Sequence, residues 1–183
     1  MPDSRGRRLV PRWFDRGSGI EGLAERLDWR PLVPAEDDDW EEGWEASPET
    51  RVTWWEDGET GIQYALVEGP DAPAVEAAIR DALDILRPET YAAAVAAEGT
   101  PMSRGHLLLA VAVDAPTPDD PAARAVLMEA LADDNPFVRR YASLAAGALG
   151  SDELLAVVAK MVETDPDPDV RATAAEVGES DRG

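Results

Sequence analysis

The chain has 183 residues, with 17 basic and 38 acidic side chains and a formal net charge of -21. This charge argues against a nucleic acid or a membrane surface as the partner, because both attract proteins mainly through Lys and Arg. There is no cysteine and only one histidine, His106, which excludes disulfides, thiolate metal sites and cysteine nucleophiles and leaves little for a catalytic triad.

The first 17 residues are predicted to be a mobile basic arm. Residues 1–30 contain seven arginines and five acidic residues, whereas the rest of the chain is strongly acidic. The first dozen residues have neither helical nor strand periodicity, so they are expected to be mobile or to lie back on the acidic body. No apolar run reaches the roughly 20 residues needed to span a bilayer, and none forms a secretory signal. We therefore predict a cytoplasmic protein.

A small α+β region is predicted over residues 18–87, and it begins with a helix. Ser18 and Glu21 have the spacing of a capping box. The apolar residues that follow recur at helical intervals, which indicates a short amphipathic helix ending near Trp29.

Residues 34–50 form an acidic segment with two tryptophans and are predicted to be a loop with at most one helical turn. Charge runs are usually solvated loops, but this one could also bind a basic protein surface or a metal ion. Its tryptophans could anchor a partner or pin the loop to the core. The candidate partner-binding residues here are Asp37, Asp38, Asp39, Trp40, Glu41 and Trp44.

A β-hairpin is predicted from residues 51–56 and 61–67, which carry strand-like runs on either side of a turn. Trp54 and Trp55 point to opposite faces, so one of them is expected to be partly exposed. Trp55 is a further candidate partner contact, although the N-terminal helix could cover it instead. A helical stripe over residues 75–86 ends this region.

The most informative feature is an internal repeat, because residues 119–150 and 151–182 superpose without gaps at an offset of 32. Residues 133–139 and 165–171 then share the pattern Asp, any residue, Asp or Asn, Pro, any residue, Val and Arg. Proline fits the first turn of a helix, and the residue before it caps that end. Each copy is predicted to be a helical hairpin, and the hairpins must stack to cover their apolar faces.

This pattern resembles the HEAT repeats and their short bacterial relatives, whose helical hairpins carry an Asp-Pro-x-Val-Arg-like turn and an alanine-rich second helix. The resemblance covers residues 119–182, and residues 88–114 are a possible degenerate repeat that lacks the Asp-Pro turn and the Val-Arg pair. It implies a scaffold with many uses. It also implies that the turn aspartates and helix arginines are structural, namely Asp133, Arg139, Asp165 and Arg171.

Two further residues are candidate partner contacts, Arg140 and Ser143, because they lie off the apolar stripe of their helix. His106 stands among leucines and is interpreted as a satisfied or half-exposed core residue. An apparent calcium-loop spacing lacks the glycine that such a loop needs at its sixth position, so helix capping is the favoured interpretation of its acidic residues, Asp165, Asp167, Asp169 and Glu176.

The predicted fold class is mainly α, with a C-terminal α-solenoid over residues 88–183 and a small N-terminal α+β region that contains the β-hairpin. The predicted function is a non-catalytic protein–protein interaction module or adaptor that recognises a basic protein surface. One alternative is an inhibitor or immunity-type protein that neutralises a basic toxin. Another is a HEAT-like enzyme acting on a nucleobase or a pigment, which the charge disfavours. No catalytic residue, cofactor or metal site is predicted.

Overall fold

The computed structural model describes residues 7–12, 18–33, 42–58 and 60–180. The chain divides into two compact units, residues 1–86 and residues 87–183. The first unit combines a sheet with helices, and the second is helical.

The first unit contains a five-stranded antiparallel sheet with the strand order β1-β5-β4-β3-β2. Its strands are β1 (Arg7–Leu9), β2 (Arg30–Pro31), β3 (Glu42–Ser47), β4 (Thr50–Glu56) and β5 (Gln63–Glu68). Its helices are α1 (Ser18–Arg26) and α2 (Ala72–Ala82). The helix predicted after Ser18 and the hairpin predicted over residues 51–67 are both confirmed, the latter as β4 and β5.

One face of this sheet forms the core of the first unit. Strand residues on that face pack in one cluster with apolar residues of α1 and α2, among them Val52, Trp54, Val67, Ile20 and Ile79. The alternation of side chains along each strand places these residues on one side. Burying each large apolar side chain stabilises the unit by about 1.5–3 kcal/mol relative to its exposed state.

The structure corrects the predicted loop over residues 34–50, because β3 occupies part of it. Trp44 pairs with Val52 of β4 and faces the core, whereas Glu45 pairs with Arg51 and lies on the opposite face. The pattern is therefore that of a half-buried strand. The density of acidic residues hid this alternation in the sequence. Residues 34–41 lie outside the described part of the chain.

Residues 7–12 lie on the body of the first unit, which is the second of the two alternatives predicted for the N-terminal arm. Strand β1 pairs with β5, and Leu9 and Val10 are completely buried. The backbone of Val10 also accepts a hydrogen bond from the amide of Leu86, with N and O 2.9 Å apart. Apolar burial of two residues was enough to hold this short, arginine-rich segment at the sheet edge. The predicted helical stripe to Leu86 is too long, because α2 ends at Ala82 and Leu83 is extended.

The second unit is built from helical hairpins that follow a 3₁₀ turn at Pro88–Thr90. We call them repeats 1, 2 and 3. They consist of α3 (Tyr91–Ala96) with α4 (Pro101–Asp114), α5 (Pro121–Leu131) with α6 (Pro136–Leu149), and α7 (Asp152–Thr164) with α8 (Pro168–Ser180). The second helices pack in sequence, α4 on α6 and α6 on α8, and the first helices α3, α5 and α7 pack likewise.

Each second helix begins in the same way, with a cap residue followed by proline. The side chains of Thr100, Asn135 and Asp167 each accept a hydrogen bond from a backbone amide of the following turn, at 3.1, 2.9 and 2.9 Å. Such a cap stabilises a helix by about 1 kcal/mol. The recurring start fixes where each second helix begins relative to its neighbour.

Small residues allow the second helices to approach closely. Ala142, Ala145 and Ala146 of α6 are completely buried. A Cβ atom added to Gly105 of α4 would lie 2.8 Å from Cγ of Tyr141, so glycine is required there for the observed contact. The alanine-rich stripe predicted for α6 is thus the surface on which the repeats stack.

The stacking predicted for residues 119–182 is confirmed for residues 119–180, which the structure describes, and residues 88–114 form the preceding repeat. Pro101 and Arg104 take the positions that Pro136 and Arg139 take in repeat 2. The interval is 35 residues from Pro101 to Pro136 and 32 from Pro136 to Pro168, because the connection before α5 is longer than the one before α7. An ungapped comparison at 32 residues therefore missed repeat 1.

Candidate interaction surfaces

The repeats are joined by an ion pair between Arg139 of α6 and Asp165 in the turn of repeat 3. Nε and Nη2 of Arg139 donate to the two carboxylate oxygens at 2.8 and 2.9 Å. Both side chains are buried, with exposed fractions of 11% and 4%. Their hydrogen bond raises the pKa of Arg139 and lowers the pKa of Asp165, because it stabilises both charged forms.

The same arrangement recurs on either side of this pair. Nη1 of Arg104 donates to Asp133 at 2.9 Å, which joins repeat 1 to repeat 2. Nη1 of Arg139 donates to the carbonyls of Asp133 and Asp134, and Nη1 of Arg171 donates to those of Asp165 and Pro166. The structural role predicted for four of these residues is thus confirmed. We call the series the arginine–aspartate ladder: Arg104, Asp133, Arg139, Asp165 and Arg171.

The ladder leaves an acidic surface on the second unit, because it directs arginines inward. Arg124 is also paired, with Glu153 at 2.7 Å. The exposed basic residues in the described part of this unit are Arg87, Arg140 and Lys160, and Arg140 also donates to the hydroxyl of Thr173 at 3.2 Å. Meanwhile many carboxylates of this unit are exposed, namely Glu89, Asp119, Glu129, Asp134, Asp152, Glu163, Asp169, Glu176 and Glu179.

The predicted site residues of the acidic segment, with one exception, lie outside the described residues: Asp37, Asp38, Asp39, Trp40 and Glu41. The exception is Trp44, which is only 6% exposed and packs in the core of the first unit. Its prediction as a partner contact is therefore wrong, since the side chain has almost no surface to offer.

Trp55 lies on the sheet face opposite the core and is partly exposed, whereas its neighbour Trp54 is buried. The indole Nε1 of Trp55 donates to the hydroxyl of Thr53 at 2.8 Å. On the same face, the guanidinium of Arg8 lies 5.0 Å from the ring centroid of Tyr64. Burial raises the pKa of Tyr64, and Arg8 partly offsets this effect. The exposure expected for one of the two tryptophans is thus found at Trp55.

Arg140 is exposed on α6, as its prediction requires, but Ser143 is not. Ser143 is completely buried, and its hydroxyl donates to the carbonyl of Arg139 at 3.0 Å. The prediction of Ser143 as a partner contact is therefore wrong. The reason is that α8 packs on the side of α6 that the sequence pattern assigned to solvent.

Sequence reasoning missed a group of apolar and aromatic side chains on the outer side of α4 and α6. Met102 is 62% exposed. His106 is exposed rather than in the core, and its ring centroid lies 5.9 Å from that of Tyr141. The rings of Phe137 and Tyr141 stack with centroids 4.6 Å apart. We call these four residues the Met–aromatic patch. They follow the starting proline of their helix by one or five residues, a register that a gapped repeat alignment would have revealed.

Of the acidic residues with calcium-like spacing, Asp167 caps a helix, and Asp165 binds Arg139. A carboxylate oxygen of Asp167 accepts hydrogen bonds from the amides of Asp169 and Val170 at 2.9 and 3.2 Å. Across the described ranges of the chain, no group of three or more His, Asp or Glu side chains is placed to hold a metal ion. No helix within these ranges is long and apolar enough to cross a bilayer.

A cleft of about 290 Å³ lies between α3 and α5 in the second unit. Alanine and valine side chains line most of it, together with Arg104, Asp133 and Glu129. Arg104 and Asp133 are bound to each other within the ladder. The cleft is small and of mixed polarity, and two of its three charged side chains are paired with each other.

Residues 93–177 match the family of HEAT repeats. This segment includes most of repeat 1 and nearly all of repeats 2 and 3, so the helical unit is a HEAT-like repeat array. HEAT repeats generally mediate protein–protein interactions and are typically non-catalytic. No curated protein and no solved structure was found to match the chain.

Proposed function

We propose that this HEAT-like array and its attached α+β unit form a non-catalytic interaction module, located in the cytoplasm, that recognises a basic protein surface. The observation that carries the proposal is the division of charge in the second unit. The ladder binds guanidinium groups between the repeats, while the carboxylates named above face solvent. The array therefore presents acidic groups to a partner.

A surface of this kind favours fast association with a basic protein. Excess charge of one sign steers an oppositely charged partner during diffusion, and the effect falls with ionic strength. The net charge of -21 is large enough for such steering. Because the buried Arg139–Asp165 pair is screened much less by salt, we expect the array to stay folded under conditions that weaken binding.

The charged side chains of the cleft between α3 and α5 bear on the choice between binding and catalysis. An active site needs titratable groups that converge on one point. In this cleft, Arg104 is held by Asp133, which leaves Glu129 as the remaining charged side chain. This arrangement gives no support to the alternative of an enzyme acting on a nucleobase or a pigment.

The test is a pull-down with the full chain from native lysate at low and at high salt, with proteins identified by mass spectrometry. We expect capture of a basic protein at low salt only. A matched lysate with acetylated lysines should lose the capture, because acetylation removes the positive charge. Capture of nothing at either salt concentration, or equal capture after acetylation, would contradict the proposal.

A further inference from the structure

The Met–aromatic patch is an exposed apolar surface on an otherwise acidic array. Met102, at 62% exposure, extends into solvent from the first turn of α4. His106 lies one helical turn further along the same helix, beside Tyr141 of α6. Aromatic and methionine side chains are enriched in the core of protein–protein interfaces.

The aromatic part of the patch is held rigidly. The ring of Tyr141 lies directly over the backbone of Gly105, where an added Cβ would come within 2.8 Å of the ring. The ring of Phe137 also stacks on the ring of Tyr141, and the two ring centroids are 4.6 Å apart. Rigid aromatic side chains lose little conformational entropy when a partner binds. The patch is thus preorganised.

Exposed carboxylates lie beside the patch. Asp134 is in the turn that leads to Phe137, and it is exposed. Asp169 occupies the position in α8 that Phe137 occupies in α6, one residue after the starting proline. The hydrogen bond from Arg140 of α6 to the buried hydroxyl of Thr173 joins α6 to α8, so the charged neighbours of the patch on this side are two carboxylates and one guanidinium. An apolar surface with an acidic border fits an apolar ligand that carries positive charge.

We propose that the Met–aromatic patch docks an amphipathic helical segment of a basic partner protein. The segment places an aliphatic side chain against Met102 and a Lys or Arg side chain at the exposed part of the Phe137–Tyr141 stack, with its cation close to Asp169. Cations are attracted to the faces of aromatic rings, and a neighbouring carboxylate adds to the attraction. This inference rests on the function proposed above and assigns the basic partner to one face of the array.

The probe is a short helical peptide of lysine and leucine, titrated into the full chain whose methionine methyl groups are labelled for NMR. We expect the Met102 signal to shift and that of the buried Met161 to stay unchanged. A counterpart peptide with glutamate in place of lysine should not bind, because it would be repelled by the acidic border.

Three variants test the contacts. Met102→Ser should weaken peptide binding, and Tyr141→Leu should weaken it by about fivefold, because the apolar volume is kept while the aromatic face is lost. Asp169→Asn should also weaken binding. Its matched control is Asp152→Asn, since Asp152 is exposed in the first turn of α7 but lies on a first helix. Because Met102 is largely exposed, its substitution leaves folding intact even if Tyr141→Leu destabilises the array.

The outcomes separate this inference from the proposed function. If the lysine peptide binds but Met102 does not shift, or if the variants bind like the wild type, the docking surface is overturned while recognition of a basic partner stands. If neither the peptide nor any basic protein binds, both fail. Self-association that Met102→Ser abolishes, measured by sedimentation, would assign the patch to a second copy of the chain and would also overturn the inference.

Discussion

Asp165 is the residue on which the junction between repeats 2 and 3 depends most. It accepts two hydrogen bonds from Arg139 and one from the amide of Asp167. Asp165→Asn would leave the buried guanidinium of Arg139 without its counter-charge. Removing one partner of a buried pair costs about 3–5 kcal/mol. We expect the free energy of unfolding, measured in urea, to fall by an amount near the lower end of this range. The reason is that two backbone carbonyls still bind Arg139.

The control for this variant is Asp134→Asn, in the corresponding turn of repeat 2. Asp134 is exposed and contributes only its backbone carbonyl to Arg139. Its substitution should change the free energy of unfolding by no more than about 0.5 kcal/mol. If the two variants lost the same free energy of unfolding, the Asp165 carboxylate would have no special role in joining the repeats.

The same pair makes stability depend on pH. The pKa of Asp165 lies below the ordinary value of 3.8 because Arg139 donates to its charged form. A lowered pKa means that the unfolded chain binds the proton more tightly than the folded chain. The stabilisation is therefore complete above pH 3.8 and is lost as the pH falls through the lower pKa of the folded state. Asp165→Asn should flatten this part of the curve of unfolding free energy against pH, and an unchanged curve would refute the assignment.

At the level of the helices, the contact between α4 and α6 depends on Gly105. Gly105→Ala would place a methyl group 2.8 Å from the ring of Tyr141, which is itself stacked on Phe137. Overpacking of this kind typically costs about 1–3 kcal/mol, more than alanine gains over glycine in a helix. We expect lower stability in thermal unfolding, together with a changed His106 signal in NMR spectra, because the Tyr141 ring must move.

The comparison for this substitution is Gly178→Ala in α8, where an added Cβ meets nothing within 4 Å. This variant should be neutral or gain up to about 1 kcal/mol from the higher helix propensity of alanine. A Gly105→Ala protein as stable as Gly178→Ala would mean that the two helices are not packed as tightly as described.

Helical stacking was the part of the fold that could be predicted best from the sequence. The turn pattern at 133–139 and 165–171 combines a cap, a proline start and a ladder arginine, so each local signal agrees with the hairpin. Repeat 1 was predicted only as a possible degenerate repeat, because Thr100 replaces the acidic or amide cap and the spacing changes to 35 residues. Strand β3 was not predicted because the acidic residues around Trp44 obscured the alternation of side chains, and its pairing with the neighbouring strand β4 outweighs their low strand propensity.

The candidate site was harder to predict than the fold. Whether a residue of α6 is exposed depends on which side α8 covers, and the helical period alone does not fix this. Ser143 was therefore assigned to solvent although it is buried, and Phe137 and Tyr141 were overlooked although both are partly exposed. The signal shared by Phe137 and Tyr141 is their spacing from Pro136, by one and five residues. This spacing has meaning only once the repeats are aligned.

For the molecule as a whole, the net charge of -21 implies that added salt should stabilise the fold. Repulsion among exposed carboxylates is screened by ions, whereas the buried Arg139–Asp165 pair is screened much less. We expect the melting temperature to rise by roughly a few degrees between low and moderate sodium chloride concentrations. A fall over this range, measured by circular dichroism, would mean that exposed ion pairs stabilise the protein more than like charges destabilise it.

Arg171 holds the last position of the ladder, anchored to two carbonyls in the same way as Arg139. Among the described residues, no carboxylate stands beside it as Asp165 stands beside Arg139. A duplicate of repeat 3 grafted after α8 would bring its own turn aspartate to this guanidinium. The array can therefore be lengthened by design without altering any existing junction, and its length is a variable open to protein engineering.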